Sequence, residues 1–372
     1  MLPHKIVTII GTRPEVIKMA PVIRELNRRP PVFAQTIVAT AQHRQMLDQV
    51  LEVFKIEPDI DLGLMQHNQD LAEFASRSLL AVSNLYSEIE PAAVLVQGDT
   101  TTVMTAALAA FYKGIPVGHV EAGLRSFNRR QPFPEEINRR VAACLASIHF
   151  APTPRARLNL INEGVPDADV HVTGNTIVDA LSSVSLDGDF EDRRLERVAR
   201  SGNRVILVTA HRRENHGAPL RSICSALKKL TEKFPDIEIV YPVHLNPKVS
   251  SVVREELGAV DRIQLIDPLS YPDLLRLMSS CYLILTDSGG IQEEAPSFHK
   301  PVLVLREVTE RPELVEANAG RVVGTETGAI LDAASMLLGD AAEYKRMASA
   351  ENPFGDGRAA QRIVDILEHR LG

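Results

Sequence analysis

Cysteine is scarce in this sequence of 372 residues, and the three that occur, Cys144, Cys224 and Cys281, are isolated. They form no CxxC pair, which argues against both a disulfide framework and a cysteine zinc site. No block of lysine or arginine occurs, which argues against a nucleic-acid-binding surface. The longest apolar runs are strand-sized and far shorter than a membrane span. With no cleavage-type segment after Met1, the expected compartment is the cytoplasm.

Several functional motifs are also missing. There is no GxxxxGK[ST] phosphate loop and no GxGxxG fingerprint, which argues against a kinase, an ATPase and an NAD-dependent oxidoreductase. No HxH, HExxH or Asp/His cluster supplies metal ligands at a suitable spacing. We therefore expect neither a metal nor a cofactor. Because the net charge is −7, an anionic ligand must be held by a few local cations and backbone amides.

What is present is a regular alternation of short Val/Ile/Leu-rich runs with helix-period segments. The runs are continuously apolar, as expected for parallel strands covered by helices on both faces. The predicted strands are Lys5–Ile10, Thr36–Ala39, Ala93–Gln97, Pro116–Val120, Ile148–Ala151, Arg204–Thr209, Glu238–Tyr241, Ile263–Ile266, Tyr282–Thr286 and Val302–Leu305. Since 372 residues exceed what one core usually fills, the pattern predicts an α/β fold of two Rossmann-like domains with a cleft between them.

The predicted domain junction lies near Thr173–Asn175, because the following segment, 176–203, has no clear strand. We expect an N-terminal domain over residues 1–174 and a C-terminal domain over residues 175–355. The clearest helical patterns are Glu15–Arg28, Thr101–Tyr112, Leu220–Phe234 and Asp356–Leu371.

Polar clusters follow six of the predicted strands, at the strand ends where open parallel sheets bind their ligands. The clusters are Gly11–Glu15, Gln97–Thr102, Glu121–Arg125, Ala210–Asn215, Asp287–Gly290, and Arg306 with 310–313. Any one of them has an ordinary explanation; Asp99, for example, could cap a helix. Glu135, which lies outside these clusters in a first helical turn, could simply interact favourably with the helix dipole. Six clusters in register with strand ends favour a ligand site.

The cluster around Gly289 and Gly290 is the most informative. Two glycines between a buried strand and a helix permit close backbone approach to a phosphate, and Arg311 could close over the same anion with its guanidinium fork. The alternative is a plain turn with Ser288 as the helix cap. His211, at another strand end, is interpreted as a hydrogen-bond donor or cation near that anion.

Together these segments resemble a known family in sequence order from about residue 5 to 370. The motifs are GTRPE at 11–15, QGDT at 97–100, HVEAGLR at 119–125, PFPEEINR at 132–139, TGNT at 173–176, HRREN at 211–215, YPVH at 241–244, DSGGIQEEAP at 287–296, TERPE at 309–313 and NPFGDG at 352–357. The sequence is similar to the non-hydrolysing UDP-N-acetylglucosamine 2-epimerases.

The resemblance implies a glycosyltransferase-B-like fold, a homodimer, and a last helix, 356–372, that packs back on the first domain. It assigns the catalytic role to Asp99, Glu121, Glu135 and His211. It assigns UDP and substrate binding to Arg13, Lys18, Ser288, Gly289, Gly290, Glu294 and Arg311. Some members stack an aromatic ring on uracil where this chain has Leu274.

The resemblance also suggests a second, regulatory substrate site, which maps to Gln42, His43, Gln45, Arg212 and His244. Members with that site carry an arginine where this chain has Asn68, and the loss of a fixed cation weakens the case for regulation here.

The implied reaction is reversible epimerisation at C2 of UDP-N-acetylglucosamine through 2-acetamidoglucal, supplying bacterial cell-surface polysaccharide synthesis. Three alternatives remain open from the sequence: a hydrolysing epimerase, a UDP-sugar glycosyltransferase of the same fold, and a non-catalytic nucleotide-sugar sensor.

Overall fold

The computed structural model describes residues 2–40, 44–65 and 70–372, and for residues 44–46 it describes the backbone alone. The chain divides into two compact units. Unit 1 runs to Val184 and is completed by Phe354–Gly372, and unit 2 is Ser185–Pro353. Each unit is a parallel sheet with helices between its strands, so the prediction of two Rossmann-like α/β domains is confirmed.

The sheet of unit 1 has the strand order β3-β2-β1-β4-β5-β6-β7 within the described residues. Its strands are β1 His4–Ile10, β2 Phe33–Ala39, β3 Ile60–Asp61, β4 Ala93–Gln97, β5 Val117–Val120, β6 Ile148–Ala151 and β7 Val170–Val172. Its helices are α1 Arg13–Asn27, α2 Arg44–Phe54, α3 Leu71–Ile89, α4 Thr101–Tyr112, α5 Glu135–Leu145, α6 Pro154–Asn162, α7 Thr176–Leu181 and α16 Ala359–Leu371. The central strands β4 and β5 are buried along their whole length, which explains their uninterrupted apolar sequence.

The sheet of unit 2 has the order β10-β9-β8-β11-β12-β13. Its strands are β8 Arg204–Thr209, β9 Ile237–Pro242, β10 Ile263–Ile266, β11 Leu283–Thr286, β12 Val302–Val304 and β13 Gly320–Val322. Its helices are α8 Arg193–Arg200, α9 Ala218–Lys233, α10 Pro247–Leu257, α11 Tyr271–Ser280, α12 Gly289–Glu294, α13 Pro312–Glu316, α14 Thr327–Gly339 and α15 Ala341–Ala348. Its core packs α9, α10 and α14 against the sheet around Ile239 and Leu285.

The boundary between the units falls after Val184, later in the chain than the predicted junction after residue 174. The reason is that α7 belongs to unit 1, where it packs on α1. The Asp179 carboxylate accepts hydrogen bonds from the backbone N–H groups of Ala359 and Ala360, at 3.2 and 2.8 Å. These bonds tie α7 to the first turn of α16, which begins at Ala359 and not at Asp356 as the sequence pattern indicated.

The order of chain connection reverses at one place in each sheet, between β1 and β4 in unit 1 and between β8 and β11 in unit 2. Such a reversal opens a crevice at the carboxyl ends of the two strands, and this is where open α/β sheets bind ligands. The clusters after β1, β4, β8 and β11 therefore stand at the binding edge of their own unit.

Candidate functional site

In unit 1, the loop after β1 is joined to the loop after β4 by one buried carboxylate. Glu15 is 2% exposed, and its Oε2 accepts hydrogen bonds from the N–H groups of Gly11 and Thr12, at 2.5 and 3.1 Å. The hydroxyl of Thr100 donates to its Oε1 at 2.6 Å. Burial raises the pKa of Glu15 to about 7, despite these hydrogen bonds. Arg13 begins α1 beside this bridge.

Asp99 follows β4 and is held by two successive residues of α5. Its backbone oxygen accepts a hydrogen bond from Nδ2 of Asn138 at 3.0 Å, and its carboxylate pairs with the guanidinium of Arg139. The Asp99 side chain is 29% exposed whereas that of Arg139 is 6% exposed. The arginine thus fixes the carboxylate from the interior, and the carboxylate is the member of the pair that solvent or a ligand can reach.

Glu121 follows β5 with a backbone φ of 64°, and it forms an ion pair with Lys18 of α1. Both side chains are nearly buried, at 8% and 9% exposed. The ammonium group of Lys18 therefore lies against a predicted catalytic carboxylate. The resemblance had assigned Lys18 to UDP, and the structure gives it a partner in the acidic cluster of unit 1.

Glu135 opens α5, the same helix that supplies Asn138 and Arg139 to Asp99. The next residue, Glu136, is fully buried and accepts hydrogen bonds from the backbone N–H groups of Ser126 and Phe127, at 2.9 and 3.2 Å. It also accepts one from Arg139 at 3.3 Å. Glu136 therefore shapes the loop between β5 and α5. The three predicted catalytic acids, Asp99 after β4, Glu121 after β5 and Glu135 at the start of α5, lie on adjacent elements at the binding edge of unit 1.

His119, the first residue of the motif at 119–125, lies on β5 and has no role predicted from the sequence. Its Nε2 lies 2.7 Å from the carbonyl oxygen of Gly98, so the ring donates its proton there. Burial lowers the pKa of His119 to about 4, and the ring is neutral at physiological pH. It fixes the backbone immediately before Asp99.

In unit 2, Asp287 joins the loop after β11 to the loop after β8. It is fully buried, and its Oδ2 accepts hydrogen bonds from the N–H groups of His211 and Arg212, both at 2.8 Å. Nδ2 of Asn215 donates to the same oxygen at 2.9 Å. Burial lowers the pKa of His211, opposed by the neighbouring charge of Asp287.

Two guanidinium groups converge on Gly289, the first residue of α12. A Cβ atom placed on this glycine would lie 3.6 Å from Nη2 of Arg212 and 3.7 Å from Nη2 of Arg311. Arg311 is held in place by the fully buried Glu293, which accepts its Nε–H at 2.5 Å. A glycine with two fixed cations beside it leaves room for an anion with several oxygens.

The neighbours of this anion site are also ordered by specific contacts. Burial would raise the pKa of Glu310, but Arg311 and Arg306 outweigh it and hold that pKa at about 2. Glu294, which the resemblance assigns to UDP and substrate binding, accepts a hydrogen bond from the hydroxyl of Tyr271 at 3.0 Å. Ser288 precedes α12, and its N–H donates to Oγ1 of Thr286 at 2.9 Å. Gly290 follows Gly289 in the first turn of α12.

The residues predicted for a regulatory site are only partly covered by the structure. Gln42, His43 and Asn68 lie outside the described residues, as does the side chain of Gln45. His244 stacks on His211, with ring centroids 5.3 Å apart. Arg212 reaches Gly289 together with Arg311, which connects it to the anion site of unit 2.

Three residues of these networks, Arg139, Glu293 and Asn138, lie within the motifs at 132–139 and 287–296, but no individual role was assigned to them from the sequence. Arg139 stands four positions after Glu135, and that helical spacing was the available hint. Among the described residues, no group of three or more His, Cys, Asp or Glu side chains could hold a metal ion, and no helix there has the length and apolar character needed to cross a membrane.

Two α/β units with their charged residues gathered at the carboxyl strand ends define the glycosyltransferase-B-like class of proteins. Comparison with known proteins gives the family. The model of the family described as UDP-N-acetylglucosamine 2-epimerase matches residues 24–368. The UDP-N-acetylglucosamine 2-epimerase of Bacillus subtilis is 49% identical over 368 residues, which covers 99% of this chain and 96% of the relative.

Solved structures agree with this match. A UDP complex of Staphylococcus aureus MnaA superposes with a TM-score of 0.92 at 47% identity, covering 99% of this chain and 97% of that one. An epimerase from Neisseria meningitidis bound to UDP-GlcNAc gives 0.90 at 46% identity, covering 98% and 99%. The chain belongs to the UDP-N-acetylglucosamine 2-epimerase family, and the resemblance seen in its motifs is confirmed.

Proposed function

We propose that this protein is an isomerase that interconverts UDP-N-acetylglucosamine and UDP-N-acetylmannosamine without releasing free sugar. The observation that carries the proposal is the acidic cluster of unit 1. Asp99 and Glu121 are each paired with a nearly buried cation, Arg139 and Lys18, and Glu135 begins the helix that supplies one of them. In this role the protein would supply precursors for cell-surface polysaccharide synthesis.

The chemistry explains why such a cluster is needed. The C2–H of the sugar is barely acidic, because no carbonyl group stands beside it. In the proposed route the C1–O bond breaks and UDP leaves with the bonding electrons, while a base removes the C2 proton and a C1=C2 double bond forms. The intermediate is 2-acetamidoglucal. Reprotonation of C2 from the opposite face and return of UDP to C1 then complete the inversion.

The carboxylates of unit 1 fit the proton transfers and the positive charge that develops at C1. Fixed ion pairs keep Asp99 and Glu121 in one orientation, and an oriented carboxylate stabilises developing positive charge without reorganising during the reaction. Acids gathered near one sugar repel each other as anions, so at least one of the three acids should hold a proton in the bound state.

The cations of unit 2 fit the leaving diphosphate. Arg311 and Arg212 converge at Gly289, and hydrogen-bond donors fixed in advance stabilise the negative charge that grows on the departing phosphate oxygens. His211 stands next to Arg212 and could donate a proton to the same anion. Glu294, held by Tyr271, fits a ribose hydroxyl.

The alternatives predict other features. A glycosyltransferase would need an acceptor site in place of the acids, and a nucleotide-sugar sensor would have little use for a cluster of oriented carboxylates. A hydrolysing epimerase would share both sites and differ in the access of water to the intermediate, and hence in its product.

The proposal includes a homodimer. Unit 1 exposes three large apolar side chains on α3 and α4, helices that pack against each other: Leu80 at 66%, Phe111 at 57% and Tyr112 at 69%. Such a group is typical of a protein–protein contact. Light scattering after size-exclusion chromatography should give twice the mass of the chain, and a monomer mass at micromolar concentration would contradict this part.

The decisive experiment is incubation of the purified protein with UDP-N-acetylglucosamine alone in deuterated water, followed by NMR of the products. We expect a mixture of the two UDP-sugars with deuterium at C2, and the same result in the presence of a chelator. Free N-acetylmannosamine would identify a hydrolysing enzyme. Unchanged substrate would contradict an epimerase, and a second incubation with a sugar acceptor would then separate a glycosyltransferase, which transfers the sugar, from a binding protein, which leaves the substrate unchanged.

A further inference from the structure

The buried carboxylate Asp287 has two oxygens in very different surroundings. Oδ2 accepts the three hydrogen bonds from His211, Arg212 and Asn215 described above. Oδ1 is buried and has no hydrogen-bond partner within the part of the chain that the structure describes. A buried carboxylate oxygen with nothing to accept from is costly, so the environment of Oδ1 calls for a functional explanation.

One polar atom close to this oxygen belongs to the ring of His211. Its Nδ1 lies 3.5 Å from Oδ1 of Asp287, slightly beyond a hydrogen bond, and catalytic hydrogen bonds often shorten to full strength once the ligand is bound. The imidazole is 38% exposed whereas the carboxylate is fully buried. The ring thus has one nitrogen directed at a buried acceptor, while its other nitrogen is on the opposite side.

We propose that Asp287 is a positioning residue that acts through His211, holding the imidazole with a proton on Nδ1 so that Nε2 can exchange a proton with a phosphate oxygen of the ligand. The inference rests on the proposed function, because it places His211 at the departing diphosphate. An acceptor facing Nδ1 selects this tautomer and stabilises the imidazolium form.

Three other charged or titratable groups near the ring act against its protonation. His244 stacks on the ring, Arg212 is the next residue, and His216 lies within 3.3 Å of the His211 backbone oxygen. Burial and these three groups lower the pKa of His211, and Asp287 raises it. Asp287 is therefore the group whose removal should change the proton affinity of His211 in a defined direction.

The variant Asp287→Asn makes the inference testable because its orientation is dictated by the existing hydrogen bonds. The position of Oδ2 faces three N–H donors, so only the amide oxygen can occupy it. The amide N–H₂ group must then face Nδ1 of His211. A donor in place of an acceptor forces the ring proton to Nε2, while the shape of the site is unchanged.

The experiment follows the histidine nitrogens of the full-length protein by ¹⁵N NMR, with the variant His211→Gln identifying the signal. In the unchanged protein we expect the proton of the neutral ring on Nδ1. In Asp287→Asn we expect it on Nε2, with the pKa of His211 lower by about one unit or more. The matched control is Tyr241→Phe, which removes a 2.7 Å hydrogen bond to Ala210 in the same loop without touching the ring, and it should leave the tautomer unchanged.

Two results would overturn the inference: an Nε2–H tautomer of His211 in the unchanged protein, which does not depend on the folding of Asp287→Asn, or equal spectra for Asp287→Asn and the unchanged protein. Turnover supplies a second arm, since Asp287→Asn should cost nothing further in a His211→Gln background, and fully additive losses would contradict an action through His211. If the proposed function is wrong, the unchanged protein shows no epimerase turnover, while the tautomer of His211 is unaffected. The two failures can therefore be distinguished.

Discussion

The two units use ion pairs of opposite polarity at their strand ends. In unit 1, the pair Asp99–Arg139 has its carboxylate 29% exposed and its guanidinium 6% exposed. In unit 2, the pair Arg311–Glu293 has its guanidinium 11% exposed and its carboxylate fully buried. The more buried member orients the other in each case. Unit 1 therefore presents oriented negative charge to a ligand, and unit 2 presents oriented positive charge.

A second comparison shows what the units share. Each has one buried carboxylate that accepts two successive backbone N–H groups from the loop after its first strand: Glu15 in unit 1 and Asp287 in unit 2. Each carboxylate also connects that loop to the strand on the other side of the reversal point of its sheet. Glu15 does so through the hydroxyl of Thr100, which follows β4, and Asp287 does so because it directly follows β11. The same arrangement of a buried carboxylate and two backbone N–H groups thus occurs beside exposed negative charge in unit 1 and exposed positive charge in unit 2. The two units differ in the ion pairs that surround this arrangement.

The largest expected effect comes from removing the negative charge of unit 1. Asp99→Asn, Glu121→Gln and Glu135→Gln keep side-chain shape and remove the carboxylate. We expect epimerisation to fall by roughly 10²-fold or more in each, the usual scale for losing a general acid or base, with UDP affinity within several-fold of the unchanged protein. Steady-state turnover and calorimetry with UDP measure the two quantities separately.

The control for this series is Glu88→Gln, an exposed carboxylate of α3 in the same unit, which should change neither quantity. At least one of the three variants is expected to release 2-acetamidoglucal and UDP, because elimination and re-addition need different proton movements. Near-normal turnover in all three would mean that these acids serve only as helix caps and ion-pair partners.

The sequence was sufficient to predict the central strands and the positions of the charged clusters. Continuous apolar runs identify strands buried on both faces, and the clusters follow at the carboxyl ends by the geometry of parallel sheets. The edge strands β3, Ile60–Asp61, β7, Val170–Val172, and β13, Gly320–Val322, were missed. Each has only two or three residues, and none of them contains an uninterrupted apolar run that would stand out in the sequence.

The polarity of the ion pairs could not be predicted from the sequence. Asp99 and Arg139 are separated by 40 positions, and Lys18 and Glu121 by 103. Each residue alone fits a surface charge or a helix cap. Which member of a pair is buried depends on packing against neighbouring elements, and that information is absent from local spacing.

Glu15, the counterpart of Asp287 in unit 1, should make the stability of the folded protein depend on pH. The pKa of Glu15 is raised from 4.5 to about 7 by burial. A carboxyl whose pKa is higher in the folded state contributes stability that is complete below the unfolded value and is lost as the pH rises through the folded value. The stabilising contribution of Glu15 should therefore decline between about pH 4.5 and pH 7.

Glu15→Gln mimics the protonated carboxyl at every pH. Relative to this variant, the unchanged protein should become less stable by roughly 2–3 kcal/mol between pH 5 and pH 8, measured by denaturant unfolding at both pH values. Glu73→Gln, at an exposed position in the first turn of α3, reports the effect of losing one surface charge. An equal stability difference at pH 5 and pH 8 would contradict a raised pKa for Glu15.

The smallest expected effect concerns the positive charge of unit 2. If Arg311 binds the diphosphate as proposed, Arg311→Ala removes a charge-assisted contact, and such a truncation typically costs about 1.5–3 kcal/mol, or roughly 10- to 150-fold in the UDP dissociation constant. Arg311→Lys keeps the charge but not the planar fork, so it should recover only part of the affinity. Calorimetry with UDP at two salt concentrations gives both values.

Loss of Arg311 also leaves the carboxylate of the fully buried Glu293 without this counter-ion, which destabilises the fold in its own right. The double variant Arg311→Ala with Glu293→Gln removes both charges, so thermal unfolding should return toward that of the unchanged protein while UDP affinity stays low. If affinity recovers together with stability, Arg311 acts only as the partner of Glu293. In that case the positive charge of unit 2 does not bind the diphosphate through Arg311, and the opposite polarity of the ion pairs in the two units has no bearing on ligand binding.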